Sequence, residues 1–215
     1  MKNIYRDIYN ALSTKQNKEA DILKIVKEDV LRILCEKNKN ISLEFLKNEI
    51  NVAQLLLSEA LKELQKKDLI TIQENSISLT EMGRENAKTI LEKHLVIENY
   101  FKRTESETDP HTAAHIIEHY VSVEVINNIN KLSTLKKGGV PLTQFELDKE
   151  GLIAEIIFSD YRLFERVVSM GIFPGEKIIV LSEIPSGIVL KINHKKFALD
   201  RSIAKGIKAI VYGKP

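Results

Sequence analysis

The most regular stretch of the chain is ISLEFLKNEINVAQLLLSEALKELQKKDLITIQENSISLTEMGREN, residues 41–86. Ser42 precedes the first apolar run and can cap a short helix that ends near Ile50, because its hydroxyl can accept from backbone N–H groups of the first turn. Asn51 then provides a turn. A second helix is indicated by leucines three and four residues apart, at Leu57, Leu61 and Leu64.

Two segments that alternate apolar and polar residues follow this second helix, ITIQ at 70–73 and SISL at 76–79. Alternation is the pattern of a half-buried strand, and the two residues between the segments join them into a hairpin. Thr80 then opens a further helix that runs to about Tyr100. Helix, turn, helix and hairpin in this order predict a winged helix over residues 28–82.

Towards the N-terminus, apolar residues recur every three or four positions from Ile4 to Lys37, with a polar break at STKQNK, residues 13–18. This pattern predicts two helices, and residues 1–27 form a helical extension. The first residues lack a secretory apolar core, and no uncharged run reaches the length of about 18 residues that spans a membrane. We therefore expect a cytoplasmic protein that contacts no membrane.

Its single cysteine, Cys35, cannot form an internal disulfide.

Towards the C-terminus, Asp109 and Pro110 mark the start of another helix, which the apolar spacing extends over residues 109–133. The glycines and proline of TLKKGGVPLTQ, residues 134–144, indicate a linker. Short β runs with one helical insert, YRLFERVVSM, then predict a small barrel of about 70 residues. The fold class is thus α+β, with predicted boundaries at 1–27, 28–82, 83–133, 134–145 and 146–215.

Four of the five histidines lie close together, three of them in HTAAHIIEH at residues 111–119. If this segment is one helix, its histidines share a face, and His94 and Glu98 make a similar pair upstream. Imidazoles with carboxylates suit Mn(II), Fe(II), Co(II) or Zn(II), and six donors exceed the needs of one ion. The sequence therefore predicts two adjacent metal sites. The alternative is a solvated polar helix face, and a metal-dependent hydrolase is a weaker hypothesis since no free general base accompanies the donors.

The order of these parts resembles the diphtheria toxin repressor and manganese transport regulator family. The most specific segment is HIIEHYVSVEV, residues 115–125, and SMGIFPGEKIIVL, residues 169–181, is similar to the SH3-like module of ferrous-iron transport protein A. Members of the family are homodimeric, metal-activated transcriptional repressors and not enzymes. The resemblance implies an N-terminal winged helix, a helical dimerisation domain and a C-terminal SH3-like domain.

The resemblance also implies a ligand set. The ancillary site matches His94, Glu98 and His111, and the primary site matches His115, Glu118 and His119, with Asp29 from EDVLR (28–32) as a further ligand. We expect Fe(II) or Mn(II), two ions per subunit, with Zn(II) or Co(II) possible in vitro. A further carboxylate from the barrel would fall on Asp160, whose usual glutamine companion is replaced by Leu163.

The family reads double-stranded operator DNA from the second helix of its winged domain. The corresponding positions fall near Ala53, Leu55 and Glu59, which are poor partners for phosphate, so Gln54, Ser58 and Lys62 are the expected DNA contacts. A net charge of +2 does not by itself indicate a nucleic-acid binder. The competing hypothesis is a metal-binding sensor or scaffold whose winged helix binds protein; neither hypothesis includes a small-molecule substrate.

Overall fold

The structure is a computed structural model that describes residues 15–104, 106–135 and 139–212. The chain divides into two compact units, residues 1–95 and 96–215. Most of the predicted extension at residues 1–27, including its first helix, lies outside the described residues. Helix α1, Lys15–Lys37, already includes the last four residues of the predicted break at STKQNK, so the break prediction is wrong for those residues.

The N-terminal unit contains the predicted winged helix. After α1 come β1 (Ile41–Ser42), α2 (Leu43–Glu49), α3 (Gln54–Lys66), β2 (Ile70–Gln73), β3 (Ser76–Leu79) and the start of α4 (Glu81–Phe101). The three strands form one antiparallel sheet in the order β1-β3-β2. The predicted helix, turn, helix and hairpin are all confirmed.

Local signals in the sequence account for these elements. The Ser42 side chain accepts from Phe45 N and begins α2. At the hairpin, Glu74 takes the left-handed backbone conformation that closes a tight turn. Gly83, in the first turn of α4, lies so close to the loop between α3 and β2 that an added Cβ would lie 1.8 Å from the Leu69 carbonyl oxygen. Only glycine fits at that position.

The N-terminal core is formed by the apolar faces of α1, α2, α3 and the hairpin. The leucine stripe predicted for α3 is buried, as is Ile77 of the central strand. Burial of a leucine or isoleucine side chain contributes about 1.5–3 kcal/mol. The winged helix therefore has an apolar core of its own.

Among its described residues, the C-terminal unit contains the rest of α4, four further α-helices and a six-stranded sheet. Its elements are α5 (Pro110–Ile117), α6 (Val123–Ser133), β4 (Val140–Pro141), β5 (Glu150–Ile156), α7 (Tyr161–Ser169), β6 (Lys177–Ile184), β7 (Gly187–Ile192), β8 (Lys195–Asp200), α8 (Arg201–Lys205) and β9 (Ile207–Val211). The sheet is antiparallel in the order β4-β9-β5-β6-β7-β8, which is consistent with an SH3-like domain and confirms the α+β class.

The predicted single helix over residues 109–133 is wrong, because α5 and α6 are separate helices with residues 118–122 between them. The predicted linker also contributes structure, since β4 pairs with β9 and Leu142 is buried. None of the described helices combines the length and the apolar character that crossing a bilayer requires.

Helix α6 packs directly against the sheet domain, and we call this contact the α6 junction. Asn128 donates its side-chain N–H to the Gly175 carbonyl oxygen at 2.9 Å. Gly175 has a φ of +85°, and an added Cβ would lie 2.8 Å from the Val125 carbonyl oxygen. Lys177 Nζ and Glu124 Oε1 are 2.8 Å apart at the edge of the junction. The junction thus holds the helical part and the sheet of the C-terminal unit together.

Candidate metal centre

Helix α5 presents the first two histidines of the cluster. Asp109 is its N-cap, and the carboxylate accepts from Thr112 N at 2.9 Å. These hydrogen bonds from the backbone and hydroxyl of Thr112 hold the pKa of Asp109 below its ordinary value. His111 and His115 follow one turn apart, with their rings nearly perpendicular and centroids 4.6 Å apart. The two imidazoles are neighbours on one helix face, as predicted.

The other two donors of the predicted motif lie beyond the end of α5. Helix α5 ends at Ile117, Glu118 is its C-cap, and His119 lies in the turn that follows. The reason is Ser122, whose side chain accepts from Val125 N and starts α6. The prediction that His111, His115 and His119 share one helical face is therefore wrong for His119.

The turn nevertheless brings Glu118 against two imidazoles. Its Oε1 atom lies 3.4 Å from His115 Nδ1 and 3.4 Å from His119 Nε2. The side chains of Glu118 and His119 are only 1% and 2% exposed. Ligand atoms around a tetrahedral ion with bonds of about 2.1 Å are about 3.4 Å apart, so these separations suit donors to one ion.

A second group of donors involves Glu98 of α4. Its Oε2 atom lies 3.4 Å from His111 Nδ1, and its Oε1 atom lies 2.5 Å from Lys102 Nζ. This ion pair follows a signal that is present in the sequence, because a lysine four residues after a glutamate on a helix lies beside it. His94, which is buried, precedes Glu98 by one turn of the same helix, and the division between the two units falls between them.

Asp29 lies within the N-terminal unit, on α1. Its side chain is buried, and Oδ1 lies 3.2 Å from the Arg32 guanidinium, which also contacts Glu36. A buried carboxylate needs such a partner, because an isolated charge away from water is costly. The described contacts therefore give Asp29 a structural role in the winged helix, whatever else it binds.

Asp160, considered as a further ligand, begins α7. Its Oδ1 atom accepts from Arg162 N at 2.8 Å, so the carboxylate caps the helix. Leu163, at the position of the usual glutamine, is half-buried and packs against the core of the C-terminal unit.

The predicted DNA contacts lie on α3 of the N-terminal unit. Gln54 and Lys62 are exposed and Ser58 is half-exposed, and spacings of four residues put all three on one face. They line a shallow, mostly apolar groove of about 280 Å³ together with residues of α2 and β2. Leu55 beside them is 81% exposed. The groove thus has hydrogen-bonding groups and two lysines, Lys47 and Lys62, but a large apolar side chain beside it is exposed to water.

Comparison with known families agrees with this arrangement. Residues 80–134 match the family described as the iron dependent repressor, metal binding and dimerisation domain, and residues 140–210 match the FeoA domain family. The two matches confirm the predicted resemblance for the part of the chain that carries most of the histidine cluster and for the sheet domain. The family that residues 80–134 match is one of repressors and not of enzymes.

Solved structures give weaker likenesses. The manganese regulator SloR is 20% identical, with 86% of this chain and 98% of that chain covered and a TM-score of 0.44. The T. acidophilum IdeR is 19% identical, with 94% and 100% covered and a TM-score of 0.41. An iron uptake regulatory protein, FeoA, is 27% identical, with 33% and 97% covered and a TM-score of 0.30. No curated protein sequence matches the chain.

Proposed function

Since residues 80–134 belong with the metal binding and dimerisation domain of the iron dependent repressors, and residues 140–210 with FeoA domains, we propose that the chain is a cytoplasmic, homodimeric transcriptional repressor. Fe(II) or Mn(II) is its corepressor, and an operator in double-stranded DNA is its target. The observation that carries the proposal is the Glu118 carboxylate facing two imidazole nitrogens, each 3.4 Å away, with little access to water.

Two ions per chain are proposed. One takes His115, Glu118 and His119, with Asp29 as a further ligand, and the other takes His94, Glu98 and His111. Within the C-terminal unit the two groups are neighbours, because His111 and His115 stack edge to face. Both ligand sets contain imidazole and carboxylate and no thiolate, which suits Fe(II) and Mn(II) and also accommodates Zn(II) or Co(II) in vitro.

The proposed mechanism is a shift between populations. An ion favours a conformation only to the extent that it binds that conformation more tightly. Glu98 to His119 belong to the C-terminal unit, whereas Asp29 belongs to the winged helix. An ion with ligands from both units would favour conformations in which those ligands converge. In a dimer this would fix the separation of the two α3 helices, which must match major grooves about one helical turn apart.

DNA contact is proposed for Gln54, Ser58 and Lys62. Amide and hydroxyl groups can bond to base edges or phosphates, and a lysine can neutralise a phosphate. The exposed Leu55 supports the second candidate, a metal sensor whose winged helix binds a protein partner. The two candidates differ in salt dependence, because phosphate contacts release counterions and protein contacts do not.

The direct test is a titration of Fe(II) or Mn(II), under anaerobic conditions for iron, with enrichment of duplexes from a randomised DNA pool as the readout. We expect enrichment of one sequence with metal and none with a chelator. The His115→Ala, His119→Ala double variant should lose metal-dependent enrichment. His194→Ala is the matched control, because His194 is exposed in the turn after β7 and lies outside both ligand sets.

Enrichment by the double variant equal to that of the wild type would rule out the mechanism. Metal binding without any DNA enrichment would favour the protein-binding candidate. Protons compete with metal for imidazole nitrogen, so metal-dependent enrichment should weaken as the pH is lowered.

A further inference from the structure

A cavity of about 450 Å³ lies at the α6 junction, within the C-terminal unit and apart from the candidate metal centre. Its wall is formed by α6 with the turn before it, the C-terminal end of α7, the loop between α7 and β6, and the turn between β7 and β8. This volume falls in the range of about 300–1,000 Å³ that is typical of small-molecule sites. The cavity can therefore hold a small organic molecule.

Much of the cavity wall is apolar. The side chains of Val125, Val168, Phe173 and Ile192 line it, and all four are buried. Such a wall favours an aliphatic or aromatic body, since each buried CH₂ group contributes about 0.8 kcal/mol.

One ionisable group on the wall is Glu176, which is only 7% exposed. Its Oε1 atom accepts from Asn193 Nδ2 at 2.7 Å. Among the described residues, no cationic nitrogen lies within 4.0 Å of this carboxylate. Lys177, the next residue, is held by Glu124 at 2.8 Å and lies over the Tyr212 ring. Within the described part of the chain, Glu176 thus has an amide partner but no cation in direct contact.

A second acceptor lies on the same wall. Asn128 is buried and donates its side-chain N–H to the Gly175 carbonyl oxygen, so its Oδ1 atom remains available as an acceptor. Two acceptors and an apolar wall select a ligand that has N–H donors on an apolar body. Two lysines also line the cavity, but Lys177 is paired with Glu124, and Lys195 is exposed to water. The buried charge that a bound ligand meets is therefore that of Glu176, which would repel a ligand carboxylate. A metal ion is also disfavoured, because the groups of three metal-ligating side chains found among the described residues do not include Glu176.

We propose that this cavity binds a small primary alkylammonium compound, with the ammonium group on Glu176 and the aliphatic body along the apolar wall. The ammonium supplies the counter-cation that a buried carboxylate needs. Its three N–H groups are enough to donate to both acceptors, the Glu176 carboxylate and Asn128 Oδ1. The proposal concerns a site that neither the metal centre nor DNA binding uses, so it stands independently of the proposed function.

The test uses pentylammonium chloride as the probe and the full chain as the protein. Calorimetric titration should show saturable binding of pentylammonium, and 1-pentanol and pentanoate should bind at least about tenfold more weakly. Glu176→Gln should weaken pentylammonium binding by about tenfold or more, because the amide has the same shape but no charge. Glu183→Gln is the control, because Glu183 lies on β6 outside the cavity, and this variant should bind as the wild type does.

A second variant keeps the test decisive if Glu176→Gln folds poorly. Ser169→Leu fills the cavity from the end of α7 and leaves Glu176 intact, and it should abolish binding while thermal unfolding confirms the fold. The proposal is overturned if pentylammonium does not bind saturably to the wild type. It is equally overturned if either cavity variant binds it like the wild type, or if 1-pentanol binds as tightly.

Discussion

At the scale of single residues, Glu118 is central to the proposed metal centre because one of its oxygens faces two imidazoles. Glu118→Gln preserves the size of the side chain but removes the charge that an ion binds. We expect metal affinity to fall by about 100-fold, measured by competition with a fluorescent chelator. Glu124→Gln is the control, since Glu124 is exposed on the next helix and pairs with Lys177. Unchanged affinity in Glu118→Gln would show that this carboxylate is not a ligand.

A second residue-scale prediction concerns Glu176 and pH. Burial is the largest cause that raises the pKa of this carboxyl above its ordinary value of 4.5, and the hydrogen bond from Asn193 opposes it. The folded protein therefore keeps this proton at a pH where the unfolded chain has lost it. Its stabilising contribution is complete below pH 4.5 and is lost as pH rises through the folded pKa.

Glu176→Gln cannot titrate, so its free energy of unfolding should fall less across this pH window than that of the wild type. Urea unfolding at a series of pH values from about 4 to about 8 measures the difference. Glu183→Gln should retain the wild-type profile. Superimposable profiles for the wild type and Glu176→Gln would contradict a pKa of Glu176 that burial raises.

At the scale of elements, the α6 junction gives a prediction with a close control. Gly175 and Gly171 both have a φ of +85°, but an added Cβ would meet Val125 and Ile129 only at Gly175. Gly171→Ala should cost about 1–2 kcal/mol, the strain of a left-handed alanine. Gly175→Ala should cost about 1–3 kcal/mol more, because α6 must move away from the sheet. Equal midpoints in urea unfolding would show that the helix does not pack closely there.

The elements also show how far the sequence determines the fold. Ser42, the leucine stripe of α3 and the alternation of the hairpin are local signals, and each predicted its element correctly. The single helix over residues 109–133 was wrong because its apolar spacing continues through a segment that the Ser122 cap interrupts. A serine that can cap a helix is visible in the sequence. Whether it starts a new helix or lies within a continuous one depends on tertiary packing, which the spacing of apolar residues does not reveal.

For the candidate site, the sequence indicates the chemistry of the ligands but not which of them lie close together. Residue types were enough to indicate imidazole and carboxylate donors for a transition metal. Which donors are neighbours depends on the turn at Glu118 and on the approach of α4 to α5, where Glu98 contacts His111. The pairing of Asp29 with Arg32 and the capping of α7 by Asp160 are instead local contacts, three and two residues apart, that the spacing in the sequence could have indicated.

At the scale of the whole molecule, the proposed repressor is a homodimer. Analytical ultracentrifugation should give about twice the chain mass of 24.5 kDa, because an operator with two half-sites requires two recognition helices. The mass should stay at this value when metal is added, if metal acts on conformation and not on assembly. A monomer at micromolar concentration with and without metal would contradict a dimeric repressor.

The most direct test of the central claim is the number of ions bound per chain. After dialysis against Mn(II), mass-spectrometric metal analysis should find about two ions per wild-type chain, since six imidazole and carboxylate donors exceed what one ion takes. The Glu98→Ala, His111→Ala double variant should retain about one. A wild-type chain without bound metal, or a double variant that binds as many ions as the wild type, would contradict the account.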